Sequence, residues 1–307
     1  ANEKDCLAGI GGRYNDEAKG ILAHIVFPTS IKKIADNAFR NVGLVGQICI
    51  PDCVEYIGAS AFEGNNLTGE LKLPVSLKFL GAAAFSLNPG ISGQLYLPEG
   101  LEVTEWDHHR GVFGTTNLTG PLVLPSSLVS YGKLGFSGTT GTIVLPPKVD
   151  YVPEMAFDGS GCTRVQFHEG IIEIRSAAFR ESSLSGELEL PPNLKYIGGE
   201  AFMNSKISKI IFPKSLKIMG DGGYDFSGIF ADCRYLTGVL ELPENVARIP
   251  MGCFYNCSNI TGLVIPENVD LIETKAFYGC SSISSIVCAG EVPPVLGQDA
   301  FYGVNKD

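Results

Sequence analysis

A phenylalanine recurs at regular intervals through almost the whole chain, and this feature most constrains the fold. The spacings between successive members are 23, 23, 28, 23, 21, 22, 23, 28, 24, 23 and 24 residues. Because one such unit cannot bury its apolar face alone, neighbouring units must stack, so the period predicts one solenoid rather than two globular domains. The twelve members are Phe39, Phe62, Phe85, Phe113, Phe136, Phe157, Phe179, Phe202, Phe230, Phe254, Phe277 and Phe301.

A proline that closes a short apolar alternation forms a second frame with the same period. In the unit Leu67–Phe85, Leu71 and Leu73 alternate with polar residues, which predicts a strand with one buried face. Pro74 ends this strand because proline cannot donate to a ladder. A second short strand with inward leucines follows, and Gly81 is expected to permit the tight bend after it. Neither a helical period nor heptads occur, so only short 3-10 or helical turns are expected. The prolines are Pro28, Pro51, Pro74, Pro98, Pro125, Pro146, Pro191, Pro213, Pro243 and Pro266, with His168 in place of one member.

These residues resemble the leucine-rich repeat in the variant carried by BspA-type surface proteins of bacteria and some mucosal protists. The pattern L-x-x-L-x-L-P-x-x-L-x-x-I-G-x-x-A-F is matched most fully by two units. The resemblance implies a right-handed leucine-rich repeat solenoid of about twelve coils, mostly β, and adhesion to a host or matrix protein or a glycan. The matching residues are Leu67, Leu71, Leu73, Pro74, Leu77, Gly81, Ala84 and Phe85, and then Leu184, Leu188, Leu190, Pro191, Leu194, Ile197, Gly198, Ala201 and Phe202.

The two ends of the chain depart from the repeat. Residues 1–20 do not match it and are expected to form an N-terminal extension or cap, whereas residues 21–307 form the solenoid with an incomplete last repeat. No basic region followed by an apolar run occurs after Ala1, so we expect no signal peptide within this sequence. The resemblance nevertheless implies an extracellular or cell-surface location, because that is where the family's surface proteins act.

Composition and motifs exclude several classes of function. The net charge of −10 disfavours binding to nucleic acid, and no apolar run approaches the roughly 18 residues that direct membrane insertion would need. No nucleophile elbow, zinc-protease motif or phosphate-binding loop occurs, so we expect no enzyme activity and no cofactor. Asp221 and Asp225 lack the alternating oxygen ligands of a calcium loop, and no metal site is predicted. We expect a monomer.

Nine cysteines, an odd number, leave at least one thiol unpaired. Cys233, Cys257 and Cys280 each stand three residues after a framework phenylalanine, where other units carry asparagine, threonine or serine. The position therefore favours a small side chain that hydrogen-bonds to the backbone of a corner. We expect a ladder of inward thiols, although disulfides between adjacent coils are sterically possible. Zinc ligation by Cys253 and Cys257 lacks a second pair at metal-site spacing.

The candidate binding face is the row of outward residues in the L-x-L-P strands, since alternate side chains of a strand point to opposite faces. A rival face is the outward row of the other strand, with Tyr56, Phe79 and Tyr196, which could instead be a stabilising ladder. A third candidate is an insertion with Trp106, His108 and His109, because loops on rigid scaffolds often carry function. The members of the favoured row are Lys72, Tyr96, Val123, Val144, Gln166, Glu189, Ile211 and Glu241.

The resulting functional hypothesis is a non-catalytic interaction module that is secreted or displayed on a surface and binds a protein or glycan. Two alternatives remain open. The chain could be a structural spacer that displays a neighbouring domain, or a ligand-sensing repeat domain. A spacer would show a bland, charged strand face, whereas a binding module would show a mixed apolar and aromatic one.

Overall fold

The computed structural model describes residues 25–105, 111–134, 138–220 and 228–304, whose contacts divide into two compact units. Unit 1 comprises residues 1–149 and 160–162, and unit 2 comprises residues 150–159 and 163–307. The strands paired within each unit are parallel, and each coil contributes two strand segments, which confirms the predicted leucine-rich repeat solenoid.

Two kinds of strand alternate along the chain, and we name their stacks the short edge and the long edge. In unit 1 the short edge consists of β1, β3, β5 and β7, and in unit 2 of the odd-numbered strands. The strands of unit 1 are β1 (Lys33–Ile34), β2 (Val45–Gly46), β3 (Tyr56–Ile57), β4 (Asn66–Lys72), β5 (Phe79–Leu80), β6 (Gly90–Tyr96), β7 (Val103–Thr104), β8 (Asn117–Pro121), β9 (Gly138–Thr140) and β10 (Thr142–Val144). Those of unit 2 are β11 (Tyr151–Val152), β12 (Arg164–Gln166), β13 (Glu173–Ile174), β14 (Ser185–Glu189), β15 (Tyr196–Ile197), β16 (Lys206–Ile211), β17 (Ile218–Met219), β18 (Gly238–Glu241), β19 (Arg248–Ile249), β20 (Ile260–Ile265), β21 (Leu271–Ile272), β22 (Ser285–Cys288) and β23 (Val295–Leu296).

Strand pairing follows the repeat. In unit 1 the short edge runs β1-β3-β5-β7 and the long edge β2-β4-β6-β8-β9. In unit 2 the short edge runs β11-β13-β15-β17 and β19-β21-β23, and the long edge forms β14-β16 and β18-β20-β22. Partners lie one repeat apart, as when Tyr56 aligns with Phe79 and Tyr196 with Ile218. The spacing of the repeat in the sequence therefore sets which residues pair between adjacent strands.

The framework phenylalanines form a stack through the core of each unit. Phe39 and Phe62 lie 5.4 Å apart between ring centroids, and Phe254 and Phe277 lie 5.2 Å apart, with nearly parallel planes. A ring that contacts its equivalent one coil away gains stacking energy in addition to burial. Phe136 falls outside the described residues. The fully buried members are Phe39, Phe62, Phe85, Phe113, Phe179, Phe202, Phe230, Phe254 and Phe277.

The corners around these rings are hydrogen-bonded turns, and the described residues contain no 3-10 or α-helix where short ones were expected. The reason lies in the backbone. Ala83 and Leu87, which flank Phe85 two residues before and after it, have φ values of 54° and 57°. Glu200 and Asn204 flank Phe202 in the same way. A left-handed residue on each side interrupts a right-handed helix after one turn.

Gly81 is required for a different reason from the one the sequence suggested. It is not among the residues with positive φ, so the bend does not depend on its conformational freedom. A Cβ atom there would instead overlap the backbone of Gly58 and Ala59 in the preceding coil. Gly198 meets the backbone of the preceding coil in the same way. The framework glycine therefore permits close approach of adjacent coils.

The polar residues that stand three residues after framework phenylalanines are buried, as predicted, and the asparagines among them hydrogen-bond the corners. In unit 1 Asn65 donates from Nδ2 to the carbonyls of Phe39 at 2.7 Å and Phe62 at 2.9 Å. Its Oδ1 accepts from the backbone N–H of Leu44 at 3.0 Å. Asn88 repeats this arrangement one coil later. One amide side chain thus joins two corners and the start of a long-edge strand.

In three coils of unit 2 a cysteine takes this position, and the predicted inward orientation of these side chains is confirmed. Cys233, Cys257 and Cys280 are buried free thiols. Burial raises the pKa of Cys233 to about 11 and that of Cys280 to about 12, and it raises the pKa of Cys257 as well. Each Sγ donates at 3.1 Å to a carbonyl of the preceding coil, namely those of Phe202, Phe230 and Phe254.

Candidate interaction surface

All eight residues of the favoured row are exposed, as the strand alternation requires. The framework residues beside them are buried or half-buried, because the same alternation turns them inward. Leu95 is 3% exposed, for example, whereas Tyr96 is 69% exposed. The row therefore forms the outward surface of the long edge in each unit, although exposure alone does not assign it a ligand.

The chemistry of the row differs between the two units. In unit 1 its exposed members include Tyr96, Val123 and Val144, which place large apolar side chains in contact with solvent. In unit 2 the row is mostly polar, with two glutamates and Ile211, which is 37% exposed. A row of exposed apolar side chains is unusual for a solvated face and typical of a contact surface.

Two grooves open along the long edge of unit 2, and each borders two members of the row. The upstream groove lies between β12 and β14 and has a volume of about 540 Å³, with Gln166 and Glu189 in its lining. The downstream groove lies between β16 and β18, has a volume of about 340 Å³, and includes Ile211 and Glu241. Half of the predicted face thus borders a concavity.

The two grooves are built in the same way. At the upstream groove the N–H of Ser185 donates to the carbonyl of Thr163 at 3.1 Å. At the downstream groove the N–H of Thr237 donates to the carbonyl of Ser208 at 3.1 Å. Beyond these bonds no ladder joins β12 to β14 or β16 to β18 in the described part of the chain. Each pair of strands is therefore connected at its start and separates towards its carboxyl end.

This separation leaves backbone hydrogen-bonding groups facing the grooves. In a parallel strand the backbone groups of alternate residues point to opposite sides. The N–H of Leu242 donates to Val264 at 3.0 Å, on the β20 side, so the backbone of Glu241 faces the downstream groove. The carbonyl of Ile211 accepts from Leu190 at 3.2 Å, on the β14 side, so Ile210 faces the same groove from β16.

A phenylalanine stands at the end of the first strand of each groove, where most repeats have leucine before the proline. Phe167 packs edge-on against Phe179 with 6.1 Å between centroids, and Phe212 packs likewise against Phe230 at 5.9 Å. Both phenylalanines line their grooves. A ring is larger than the leucine found in most repeats, so the packing around it differs from that of the other coils. This substitution is the sequence signal that could have indicated the grooves, which sequence reasoning missed.

Charges around the grooves are only partly paired with one another. Lys209, in the lining of the downstream groove, forms an ion pair at 2.9 Å with Glu187, in the lining of the upstream groove. Lys214 and Glu244, which also line the downstream groove, form another at 3.3 Å, so both lysines of this groove have an acidic partner. Glu241 has no ion-pair partner among the described residues. Its carboxylate is available to a cation on a ligand, in a chain whose net charge is −10.

The rival face on the short edge has its aromatic surfaces covered by neighbours. Tyr56 and Phe79 are stacked with 4.4 Å between centroids, and the ammonium of Lys33 lies 4.2 Å from the centre of the Tyr56 ring. The guanidinium of Arg175 lies 3.9 Å from the centre of the Tyr151 ring. These rings are half-buried and contact adjacent coils. This part of the short edge therefore forms the stabilising ladder that the sequence left as an alternative.

The insertion with Trp106, His108 and His109 lies outside the described residues, as do Asp221, Asp225 and the N-terminal extension. Within the described ranges, no cluster of three or more histidine, cysteine or acidic side chains has the arrangement of a metal site. A search of the same ranges finds no helix with the length and hydropathy needed to cross a bilayer.

Comparison with known proteins identifies both a family and a fold. Residues 17–105, 109–228 and 226–306 match the family described as "BspA type Leucine rich repeat region". A leucine-rich repeat protein from Bacteroides ovatus has a similar structure, with a TM-score of 0.52 and 17% identity over 89% of this chain and 80% of that one. A leucine rich cell surface protein from Faecalibacterium prausnitzii has a TM-score of 0.44 and 21% identity, over 89% of this chain and 86% of that one. No curated protein matches the sequence significantly.

Proposed function

The chain belongs to the BspA-type leucine-rich repeat family, and we propose that it is a non-catalytic module that binds a protein or glycan. The proposed binding surface is the outward row of the long edge in each unit, with Lys72, Tyr96, Val123 and Val144 in unit 1 and Gln166, Glu189, Ile211 and Glu241 in unit 2. The observation that carries this proposal is the exposure of every member of that row, with large apolar side chains in unit 1 and grooves in unit 2.

The properties of the grooves support binding rather than catalysis. The residues lining the downstream groove include Thr237, Glu241 and Glu244, and neither carboxylate is hydrogen-bonded to the Thr237 hydroxyl. The upstream groove contains Ser185 and two glutamates, and none of these carboxylates is hydrogen-bonded to the hydroxyl. A nucleophile needs a base within hydrogen-bonding distance.

We also propose that the module acts outside the cell or on its surface, where the adhesive role implied by family resemblance would be exercised. The target is a host or matrix protein or a glycan. An exposed row of mixed apolar and polar side chains suits such a target, because it combines apolar contact area with hydrogen bonds. A structural spacer remains the rival function.

The experiment that tests the proposal begins with binding of the chain to immobilised matrix proteins and glycans. Charge is then introduced on the row in the triple variant Tyr96→Lys, Val144→Lys and Ile211→Lys. We expect binding to be lost while the melting temperature stays nearly unchanged, because all three side chains are exposed.

The matched control carries substitutions on the short edge, at Tyr56, Phe79 and Tyr196. Because these side chains are half-buried, their substitution is expected to lower the melting temperature but to leave the affinity of the folded protein unchanged. Loss of binding in this control, with retained binding in the long-edge variant, would assign the site to the short edge. An absence of binding to every immobilised target would favour the spacer.

A further inference from the structure

We propose that the downstream groove binds an extended, basic peptide, which adds a strand between β16 and β18. This inference rests on the proposed function and names the ligand class for one part of the face. The juxtaposition that carries it is a pair of unpaired strand edges facing each other, beside an exposed glutamate and an exposed isoleucine.

The backbone of the groove matches the backbone of a peptide. The backbone N–H and carbonyl groups of Ile210 face the groove from β16, and those of Val239 and Glu241 face it from β18. The same alternation directs the backbone groups of Leu240 and Leu242 towards β20. An inserted strand offers donors and acceptors to both sides at the same spacing as these groups. Strand addition is an established mode of peptide recognition, in which main-chain bonds give affinity.

The side chains beside the groove define which peptide fits. An outward side chain of the added strand lies between Ile211 on one side and Glu241 on the other, at about 5 Å from each strand. A lysine or arginine satisfies both neighbours, since its aliphatic stem covers Ile211 and its charged head approaches Glu241. The acidic net charge of the chain favours the encounter with a basic peptide.

The probe is a blocked peptide of about eight residues that alternates valine with lysine, which is the length of a long strand. Its affinity for the full chain is measured by titration calorimetry. A second peptide carries N-methyl groups on the amides that would face β16, and a third replaces lysine with glutamate. We expect the N-methylated peptide to bind at least tenfold more weakly, because it has lost donors, and the glutamate peptide to bind more weakly still.

The protein variant that tests the charge is Glu241→Lys, with Glu102→Lys as the matched control, because Glu102 is exposed but lies outside the row and both grooves. We expect Glu241→Lys to weaken the lysine peptide about tenfold and to restore the glutamate peptide, whereas Glu102→Lys should change either affinity less than threefold. Circular dichroism establishes that both variants are folded. Restoration by the opposite charge cannot arise from misfolding.

Amide hydrogen exchange places the peptide independently of any substitution. The N–H groups of Ile210, Val239 and Glu241 should exchange quickly in the free protein and slowly in the complex. Equal binding of the N-methylated peptide, or protection confined to other parts of the chain, would overturn the inference. Binding of matrix proteins or glycans that is lost in the long-edge triple variant, without peptide binding, would leave the proposed function intact and remove only the strand-addition step.

Discussion

The corner position after the framework phenylalanine holds asparagine in two coils of unit 1 and cysteine in three coils of unit 2, although the rings beside it stack alike. Asn88 donates to the carbonyls of Phe62 and Phe85 and accepts from the backbone of Leu67. Cys257 makes one bond, from Sγ to the carbonyl of Phe230. Each solution satisfies the carbonyl of the preceding coil, but only the amide also accepts a hydrogen bond from the backbone at the start of the long-edge segment in that coil.

This difference teaches which interaction the fold requires and which it can omit. A donor directed at the preceding coil is common to the asparagines and to the three thiols. The acceptor bond to the long edge is made by Asn65 and Asn88. The thiol is a weak donor and a small apolar group. It therefore forms weaker hydrogen bonds than the amide but costs less free energy to bury. Stability should therefore depend more steeply on this position in unit 1 than in unit 2.

The largest expected effect is at the amide. Asn88→Ala leaves the carbonyls of Phe62 and Phe85 and the N–H of Leu67 without this partner, and Asn88 is fully buried. At one to three kcal/mol per unsatisfied group, we expect a loss of about 4 kcal/mol in the free energy of unfolding. The matched change Cys257→Ala should cost about 1 kcal/mol. Denaturant unfolding of both variants measures the difference, and equal losses would contradict the comparison.

The second expected effect is a pH dependence of the free energy of unfolding, which arises from the buried thiols of unit 2. Burial raises the pKa of Cys233 from 9.0 to about 11, so the folded state favours the neutral thiol. Both states hold the proton below pH 9, and the contribution to stability is lost as the pH rises from about 9 to 11. At about 1.4 kcal/mol per pH unit this amounts to a loss on the order of 2 kcal/mol.

Unfolding measured at pH 8 and pH 11 tests this expectation, with Cys233→Ser as the control that should remove part of the pH dependence. Alkylation supplies a second measurement. Cys233, Cys257 and Cys280 should react slowly until the protein unfolds, whereas the exposed Cys288 should react at once. A disulfide-linked peptide containing Cys257 and Cys280 would contradict the ladder of free thiols.

Much of this comparison follows from sequence, because it concerns positions that recur. The phenylalanine frame and the inward thiols follow from alternation and period, as does the polar corner position. The left-handed backbone conformation of Ala83, Glu200 and Lys275 does not follow from the sequence, because these residue types do not favour positive φ. The grooves were missed because they depend on departures from the repeat, at Phe167 and Phe212, whose effect is a matter of packing.

A smaller effect is expected at Ser182, which occupies the same corner position in unit 2. Its hydroxyl is buried and has no hydrogen-bond partner in the described part of the chain. Ser182→Ala removes an unsatisfied polar group, so we expect a gain of about 0.5 kcal/mol in the free energy of unfolding. Ser205→Ala is the control, because Ser205 shares a hydrogen bond with Cys233 at 3.3 Å and should lose stability instead. A loss in both variants would mean that the hydroxyl of Ser182 is satisfied in solution.

The smallest effect concerns surface charges beside the short edge, where the two units again differ. In unit 1 Glu55 lies between Lys32 at 3.0 Å and Lys78 at 3.4 Å, one coil away on either side, and these ammonium groups lower its pKa. In unit 2 the same column places Lys217 next to Lys195, with the N–H of Lys217 donating to the carbonyl of Lys195 at 3.1 Å. Like charges on adjacent coils repel, whereas the alternating column in unit 1 attracts.

Reversing one charge should therefore make the unit 2 column resemble that of unit 1. We expect Lys217→Glu to raise the free energy of unfolding by about 0.3 to 0.5 kcal/mol, since exposed ion pairs contribute little. Lys217→Gln should give part of this gain by removing repulsion alone. Both gains should shrink in high salt, which screens exposed charges. A gain that persists unchanged in salt would assign the effect to packing of the side-chain stem rather than to charge.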